Sequence, residues 1–200
     1  MTLARTDPHL DAATAYLDLT GTLLRACRAY FTDSAAIMAD ARAVVGELEG
    51  TAAGPGHPSA GLARRWRTGA LFGLARELRD GLAGVRLMVG SAAVAAGNAA
   101  AELGCCEESQ EAEHGVATAM ARRTMVAHLG FVELAGRLTE LDTIFKGLRA
   151  EPWSVPDRRV VELLRRRVAS GDLTRADREL AASETLLDRV LVEVSAALGT

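Results

Sequence analysis

Residues 60–149 constrain the fold most, because two long stretches of helical periodicity are separated there only by the short break at Gly104-Cys105. In the second stretch, apolar residues recur in alternating steps of three and four, which is the heptad pattern of packed helices. The seam comprises Met120, Thr124, Ala127, Phe131, Leu134, Leu138, Leu141, Phe145 and Leu148. Because short connections make neighbouring helices antiparallel, the pattern predicts an all-α fold built on this pair.

Each of the two stretches adds an expectation about how its helix packs. Met125, Leu129 and Val132 widen the apolar arc of the second stretch, so we expect a central helix with several bundle neighbours. The first stretch contains a matching seam, but glycines recur from Gly69 to Gly104, and each costs about 1 kcal/mol of helix stability relative to alanine. We expect close helix approach to offset this cost. The matching seam comprises Leu71, Leu74, Leu78, Val85, Val89, Ala92, Ala96, Ala99 and Leu103.

The N-terminal segment predicts one long helix over about 8–49. Asp7 before Pro8 is a favourable start, with aspartate as N-cap and proline in the first turn. The seam passes through Thr32-Asp33-Ser34 without a change of register, although this tripeptide resembles a stop followed by a new cap, and two shorter helices are the alternative. The seam comprises Leu10, Ala13, Leu17, Thr20, Leu24, Cys27, Phe31, Ser34, Met38, Ala41, Val45 and Leu48.

The remaining breaks divide the chain into helices of an elongated antiparallel up-down-up-down bundle. We expect this bundle to be a single domain over 1–200. Residues 50–59 are a Gly- and Pro-rich loop, and helices are predicted over 60–103, 106–149, 155–169 and 173–198. The fourth limb is broken near Gly171, after which Thr174 and Asp177 suit the cap and third residue of the last helix. That helix has a heptad of Leu173, Leu180, Leu187 and Val194.

Composition limits the possible functions. The net charge of −3 and the pI of about 5.8 argue against a dedicated nucleic-acid binder. Three cysteines without a disulfide spacing, and an N-terminus without a signal-peptide pattern, predict a cytoplasmic protein, with leaderless secretion left open. The uncharged window at 87–101 is too short and too weakly apolar for us to expect it to span a bilayer.

One end of the predicted bundle collects both tryptophans and many basic residues, and we call this set the Trp/Arg tip. Tryptophan and arginine are enriched in binding hot spots, so the tip predicts a surface for an anionic partner. In the alternative interpretation, each tryptophan covers the bundle end and the arginines pair with Glu47, Glu49 and Glu151. The partner-binding residues predicted at the tip are Arg64, Arg65, Trp66, Arg67, Arg149, Trp153 and Arg158, with Lys146 and Arg159 nearby.

The opposite end presents two further hypotheses, a thiol site and a metal site. Cys105 and Cys106 are expected to open a helix, whose dipole would lower a thiol pKa while the neighbouring glutamates would raise it. Glu111-x-x-His114 has half of the ligand spacing of a ferritin-like di-metal site, and Glu77 and Glu140 are the further candidate ligands. The thiol site is less favoured because the two effects on the thiol pKa oppose each other, and the alternative is two small residues at a tight turn. The metal site is less favoured because no second Glu-x-x-His occurs.

The sequence contains no catalytic nucleophile motif, phosphate loop or dinucleotide fingerprint. We therefore expect a non-enzymatic bundle without a cofactor that binds a protein partner through the Trp/Arg tip and exposed parts of the seam, and that also forms a homo-oligomer. The first alternative is a ferritin-like metal-dependent oxidase or metal-binding protein that uses Glu77, Glu111, His114 and Glu140. The second is a membrane-active protein in which residues 82–101 rearrange against lipid.

Overall fold

The computed structural model describes the backbone of residues 7–50, 58–106, 111–148 and 171–199, and the side chains of 7–46, 70, 73–106, 115–147 and 171–199. The described residues form four helices that pack against each other, and they contain no strand. These helices are α1 (Pro8–Gly50), α2 (Pro58–Leu103), α3 (Glu111–Leu148) and α4 (Asp172–Leu198). The predicted all-α helical bundle is thus confirmed.

Helix α1 is continuous, as its unbroken seam predicts. Asp7 caps its start, because the Oδ1 atom of Asp7 accepts a hydrogen bond of 2.8 Å from the backbone N–H of His9. The helix passes through Thr32 and Ser34 to Gly50, and Ser34 is buried on the same face as the apolar seam residues. Burial of this face stabilises the helix across a tripeptide whose local preference is for a cap.

Helix α4 begins earlier than predicted. Gly171 has a φ angle of 73°, and its carbonyl accepts a hydrogen bond of 2.8 Å from the N–H of Arg175. The helix therefore starts at Asp172, and Thr174 is not its cap. Glycine adopts this left-handed backbone conformation without the steric cost of a Cβ atom, so Gly171 suits the position just before the helix. The helix predicted over 155–169 lies outside the described residues.

The chain divides into two compact units. Unit 1 contains Met1–Ala29, Val85–Arg137 and Ser183–Thr200, and unit 2 contains Tyr30–Gly84 and Leu138–Ala182. Helices α1, α2, α3 and α4 each contribute a segment to both units. The single-domain assignment stays a prediction.

In each unit, contacts join the helices around a buried seam. In unit 1, His9 and Thr20 of α1 contact Glu102 and Ala92 of α2, so these helix segments are antiparallel. In unit 2, contacts join α1 to α2, α2 to α3, α3 to α4 and α4 to α1. Those contacts are Tyr30 with Leu78, Arg79 with Asp142, Glu140 with Arg175, and Arg42 with Asp177.

Most predicted seam residues whose side chains are described form the core, and Leu10, Leu74 and Leu173 are half-buried. Phe145, Leu134, Leu138 and Leu141 of α3 are fully buried, and corresponding residues of the other helices surround the seam. The buried threonine hydroxyls are satisfied within their own helices, since Thr124 donates to the carbonyl of Met120 at 2.8 Å. The corresponding residues include Leu17, Leu24 and Met38 of α1, Leu78, Val85 and Val89 of α2, and Leu187 and Val194 of α4.

The prediction for the outer residues of α3 is wrong. Met125, Leu129 and Val132 are 58%, 64% and 64% exposed, so they do not pack against bundle neighbours. A helix in a four-helix arrangement has two flanking neighbours, and the narrower heptad seam already fills the covered face. In unit 1 this covered face also includes Gly130, which approaches Val190 of α4. The wider apolar arc is therefore an outer surface.

Candidate functional site

The Trp/Arg tip lies mostly outside the described residues. Arg64, Arg65, Trp66 and Arg67 belong to α2, but their side chains are not described. Arg149, Trp153, Arg158 and Arg159 lie outside the described residues altogether. Lys146 is described, and its Nζ atom lies 2.5 Å from Oδ2 of Asp142, so a neighbouring carboxylate balances its charge. Partner binding by the tip stays a prediction.

The structure describes two of the four candidate metal ligands. Glu77 is exposed on α2, and Glu140 forms an ion pair with Arg175. Glu111 and His114 belong to α3, but their side chains are not described. Among the described residues, no three His, Cys, Asp or Glu side chains are grouped to hold a metal ion.

The expected position of the two thiols is wrong. Cys105 and Cys106 follow the end of α2 and do not open α3, which begins at Glu111. The N–H of Cys105 donates to the carbonyl of Glu102 at 2.9 Å, and the thiol of Cys106 contacts the same carbonyl at 3.8 Å. The C-terminal end of a helix has a partial negative charge, which does not stabilise a thiolate.

Electrostatics at this turn also oppose thiol activation. Burial raises the pKa of the Cys106 thiol, and the carboxylate of Asp7 raises it further through charge and a hydrogen bond. Nearby, Nδ1 of His9 and Oε2 of Glu102 are 2.7 Å apart. This contact was not predicted, because it joins residues 93 positions apart in the chain. A redox role for Cys105 and Cys106 stays a prediction, but the thiol environment does not favour it.

Exposed apolar side chains mark a different candidate surface. Among the described side chains, all the exposed large hydrophobic residues belong to unit 1. Leu87 and Val94 of α2 are 73% and 65% exposed, and they accompany Met125, Leu129 and Val132 of α3. The remaining members of the set are Leu19, Val126 and Val192.

Most of these exposed apolar side chains lie in two short rows, one on α2 and one on α3. We call Leu87, Gly90, Val94 and Gly97 the α2 stripe, and Met125, Leu129 and Val132 the α3 stripe. All of these residues are exposed, and both stripes follow helical steps of three and four. The two helices are neighbours in unit 1, because Leu103 and Met120 belong to the same buried cluster.

Glycines in the bundle have two different environments. A Cβ atom on Gly81 would lie 2.8 Å from the ring of Tyr30, and one on Gly130 would lie 2.5 Å from Val190. Close packing of a neighbour therefore accompanies both glycines; it was predicted for Gly81, whereas Gly130 lies outside the stretch for which it was expected. A Cβ atom on Gly90 or Gly97 would meet no atom within 4 Å, so the described structure offers no close approach there. The predicted compensation is thus wrong for the α2 stripe.

A groove between α3 and α4 borders the same unit. Its volume is about 550 Å³, and it is lined by Val126 and Gly130 on one side and by Leu186, Val190 and Val192 on the other. The ion pair between Arg123 and Glu193, at 3.1 Å, links these two helices. Thr185, Asp188, Arg189 and Glu193 also line the groove, so it combines apolar and charged side chains.

Helix α2 also meets a length and composition criterion for membrane spanning. Its stretch Gly73–Leu103 contains an 18-residue window with a mean hydropathy of 1.3, of which 39% is buried. The expectation concerned only residues 87–101, whereas the longer stretch is long and apolar enough by length and composition alone. A core helix of a soluble bundle meets the same criterion, so this finding is weak evidence for a membrane span.

Comparison with known proteins offers no functional analogue. No family model, curated protein or solved structure matches the chain. The residues of the α3 stripe were expected in the core, and the exposed Leu87 and Val94 were not predicted as surface residues. Their seven-residue spacing, interleaved with that of Gly90 and Gly97 in an uncharged window, was the available signal.

Proposed function

We propose that this chain is a non-enzymatic helical bundle that binds a protein partner through the exposed apolar surface of unit 1. The observation that carries the proposal is the distribution of large exposed hydrophobic side chains, all of which lie in unit 1 among the described residues. Grouped apolar side chains at a protein surface mark interaction sites more often than isolated ones do. Binding would remove the α2 and α3 stripes from water.

The chemistry of the two stripes favours a helical protein partner. Leu87, Val94, Leu129 and Val132 offer aliphatic contacts, and Met125 adds a flexible side chain that adapts to different partner shapes. Residues spaced by three, four and seven positions are the anchors through which helices recognise each other. The Trp/Arg tip remains a second predicted contact in this function.

Site-specific photocrosslinking in the native host tests the proposal. A photoreactive amino acid at Leu129 is expected to give an adduct heavier than the chain, because this side chain is at the centre of the α3 stripe. Thr139 is the matched control position, since it is exposed on the same helix but belongs to unit 2. Adduct formation should also decrease at least tenfold when Val94→Glu and Val132→Glu are introduced together.

Equal adduct yields at Leu129 and Thr139, or no adduct at either position, would contradict the proposal. The contribution of the tip is measured separately by Trp66→Ala with Trp153→Ala, which is expected to abolish partner capture if helicity is retained. Unchanged capture by that variant would remove the tip from the proposed function and leave the stripes as the binding surface.

A further inference from the structure

The α2 stripe alternates large side chains with glycine. Leu87 and Val94 are seven residues apart, as are Gly90 and Gly97, and all four positions are exposed. Each glycine weakens the helix relative to alanine, yet the described structure places no neighbouring atom in the space beside either one. The stripe therefore presents two knobs and two open hollows on one face of a helix.

This row is complementary to itself when two copies run in opposite directions. An antiparallel copy centred at position 92 places Leu87 opposite Gly97 of the second copy and Val94 opposite its Gly90. Large residues opposite small ones allow two helices to interdigitate without voids or clashes. A two-fold interface requires this reciprocity, because a contact from the first copy to the second must also occur in reverse.

The α3 stripe is centred at the same height as the α2 stripe. In unit 1 the buried cluster joins Ala99 and Leu103 of α2 to Ala117 and Met120 of α3. Because both helices rise about 1.5 Å per residue, position 92 of α2 is level with about position 128 of the antiparallel α3. A two-fold axis at that height therefore brings Leu129 close to Leu129 of the second copy.

The α2 stripe lies in an uncharged segment, whereas on α3 the exposed Arg122 and Glu133 flank the stripe. Residues 87–101 contain no charged side chain, so two copies can approach without burying an unpaired charge on α2. A face two helices wide and about 20 Å long measures about 400 Å² in projection. Counted on both copies, this is about 800 Å², below the ~1,200–2,000 Å² of standard interfaces and in the range of weak, transient contacts, so we expect a dimer that dissociates on dilution.

We propose that the α2 stripe docks antiparallel against the α2 stripe of a second copy of this chain, with the α3 stripes paired beside it. The inference rests on the proposed function, since it names the occupant of the same surface. In the dimer, the apolar face of each copy contacts the same face of the other copy instead of water, and no other ligand is required.

Sedimentation of the purified full chain from 1 to 200 µM measures the association directly. The wild-type protein should shift from monomer to dimer over this range, and Leu87→Glu with Val94→Glu should weaken association at least tenfold. Thr139→Glu is the matched control, because Thr139 is exposed on α3 but belongs to unit 2 and lies outside the exposed apolar surface. Circular dichroism verifies that every variant remains helical.

A second variant distinguishes self-association from lipid binding. Gly90→Leu with Gly97→Leu fills the hollows while it increases the apolar character of the stripe. Dimerisation should weaken at least tenfold, whereas binding to vesicles of phosphatidylcholine and phosphatidylglycerol would increase if lipid were the occupant. A wild-type protein that stays monomeric at 200 µM, with or without flotation on such vesicles, overturns the proposal.

Disulfide crosslinking tests the antiparallel geometry in a background of Cys105→Ser and Cys106→Ser. Leu87→Cys mixed with Gly97→Cys should crosslink, while either variant alone should not, because its two thiols would be about 15 Å apart. Efficient crosslinking of Leu87→Cys with itself would overturn the antiparallel arrangement. If the purified chain is monomeric but Leu129 still crosslinks to another protein in the host, this inference fails and the proposed function stands.

Discussion

Unit 1 and unit 2 use segments of the same helices, but among the side chains that the structure describes their outer surfaces differ. In unit 2, ion pairs join neighbouring helices, as between Arg42 and Asp177 at 2.6 Å and between Arg79 and Asp142 at 3.6 Å. In unit 1, ion pairs also occur, but they accompany exposed leucine, valine and methionine side chains. The buried seam is similar in both units, so the core pattern of a helix does not determine what its outer face can bind.

This comparison predicts that mutations in the two cores have similar effects. Phe145→Ala in unit 2 should reduce the free energy of unfolding by about 3–5 kcal/mol, and Leu17→Ala in unit 1 by about 2–5 kcal/mol, because each leaves a cavity. Both side chains are fully buried. Urea denaturation followed by circular dichroism measures both effects. A nearly neutral result for one of them would show that the units also differ in core packing.

Two glycine-to-alanine substitutions in α2 should change the free energy of unfolding in opposite directions. Gly81→Ala in unit 2 should reduce the free energy of unfolding by about 1–3 kcal/mol, because the new methyl group would press against Tyr30. Gly90→Ala in unit 1 should increase it by about 1 kcal/mol, since its surroundings are open and alanine favours the helix. Thermal and urea unfolding at protein concentrations below the dimerisation range test both variants. A stabilised Gly81→Ala would refute the close approach of Tyr30 to Gly81.

Alkaline pH should destabilise both units, over different ranges. Burial raises the pKa of Cys27 in unit 1 from 9.0 to about 11, and that of Tyr30 in unit 2 from 10.0 to about 12. The folded state favours the neutral form of each group, so each group's contribution to the free energy of unfolding is fully present below its ordinary pKa. This contribution is lost as the pH rises, between about pH 9 and 11 for Cys27 and between about pH 10 and 12 for Tyr30.

The expected loss from Cys27 is about 1 kcal/mol at pH 10. Urea midpoints between pH 8 and pH 12 measure the loss for each group. Cys27→Ala should flatten the lower part of the profile, while Tyr30→Phe should flatten the upper part and also remove the 2.9 Å hydrogen bond to the carbonyl of Leu78. Unchanged profiles would show that neither group titrates with the expected shift.

The sequence by itself determined the helices and their buried faces. The register through Thr32 and Ser34 predicted the continuous α1, and the heptad of α3 predicted a core containing Phe131 and Phe145. These predictions succeed because helical periodicity is local: residues three and four positions apart share a face of the helix independently of the rest of the chain. Asp7 as N-cap was predictable for the same reason.

Only the tertiary structure decided which apolar and glycine positions have neighbours. Met125, Leu129 and Val132 continue the apolar arc of α3 in sequence, yet they are exposed because the helices beside α3 cover a narrower face. Gly81 faces a tyrosine from α1 while Gly90 faces open space, although both are glycines of the same helix. Periodicity defines the directions in which side chains point, but only packing between distant segments determines whether anything occupies the space they point into.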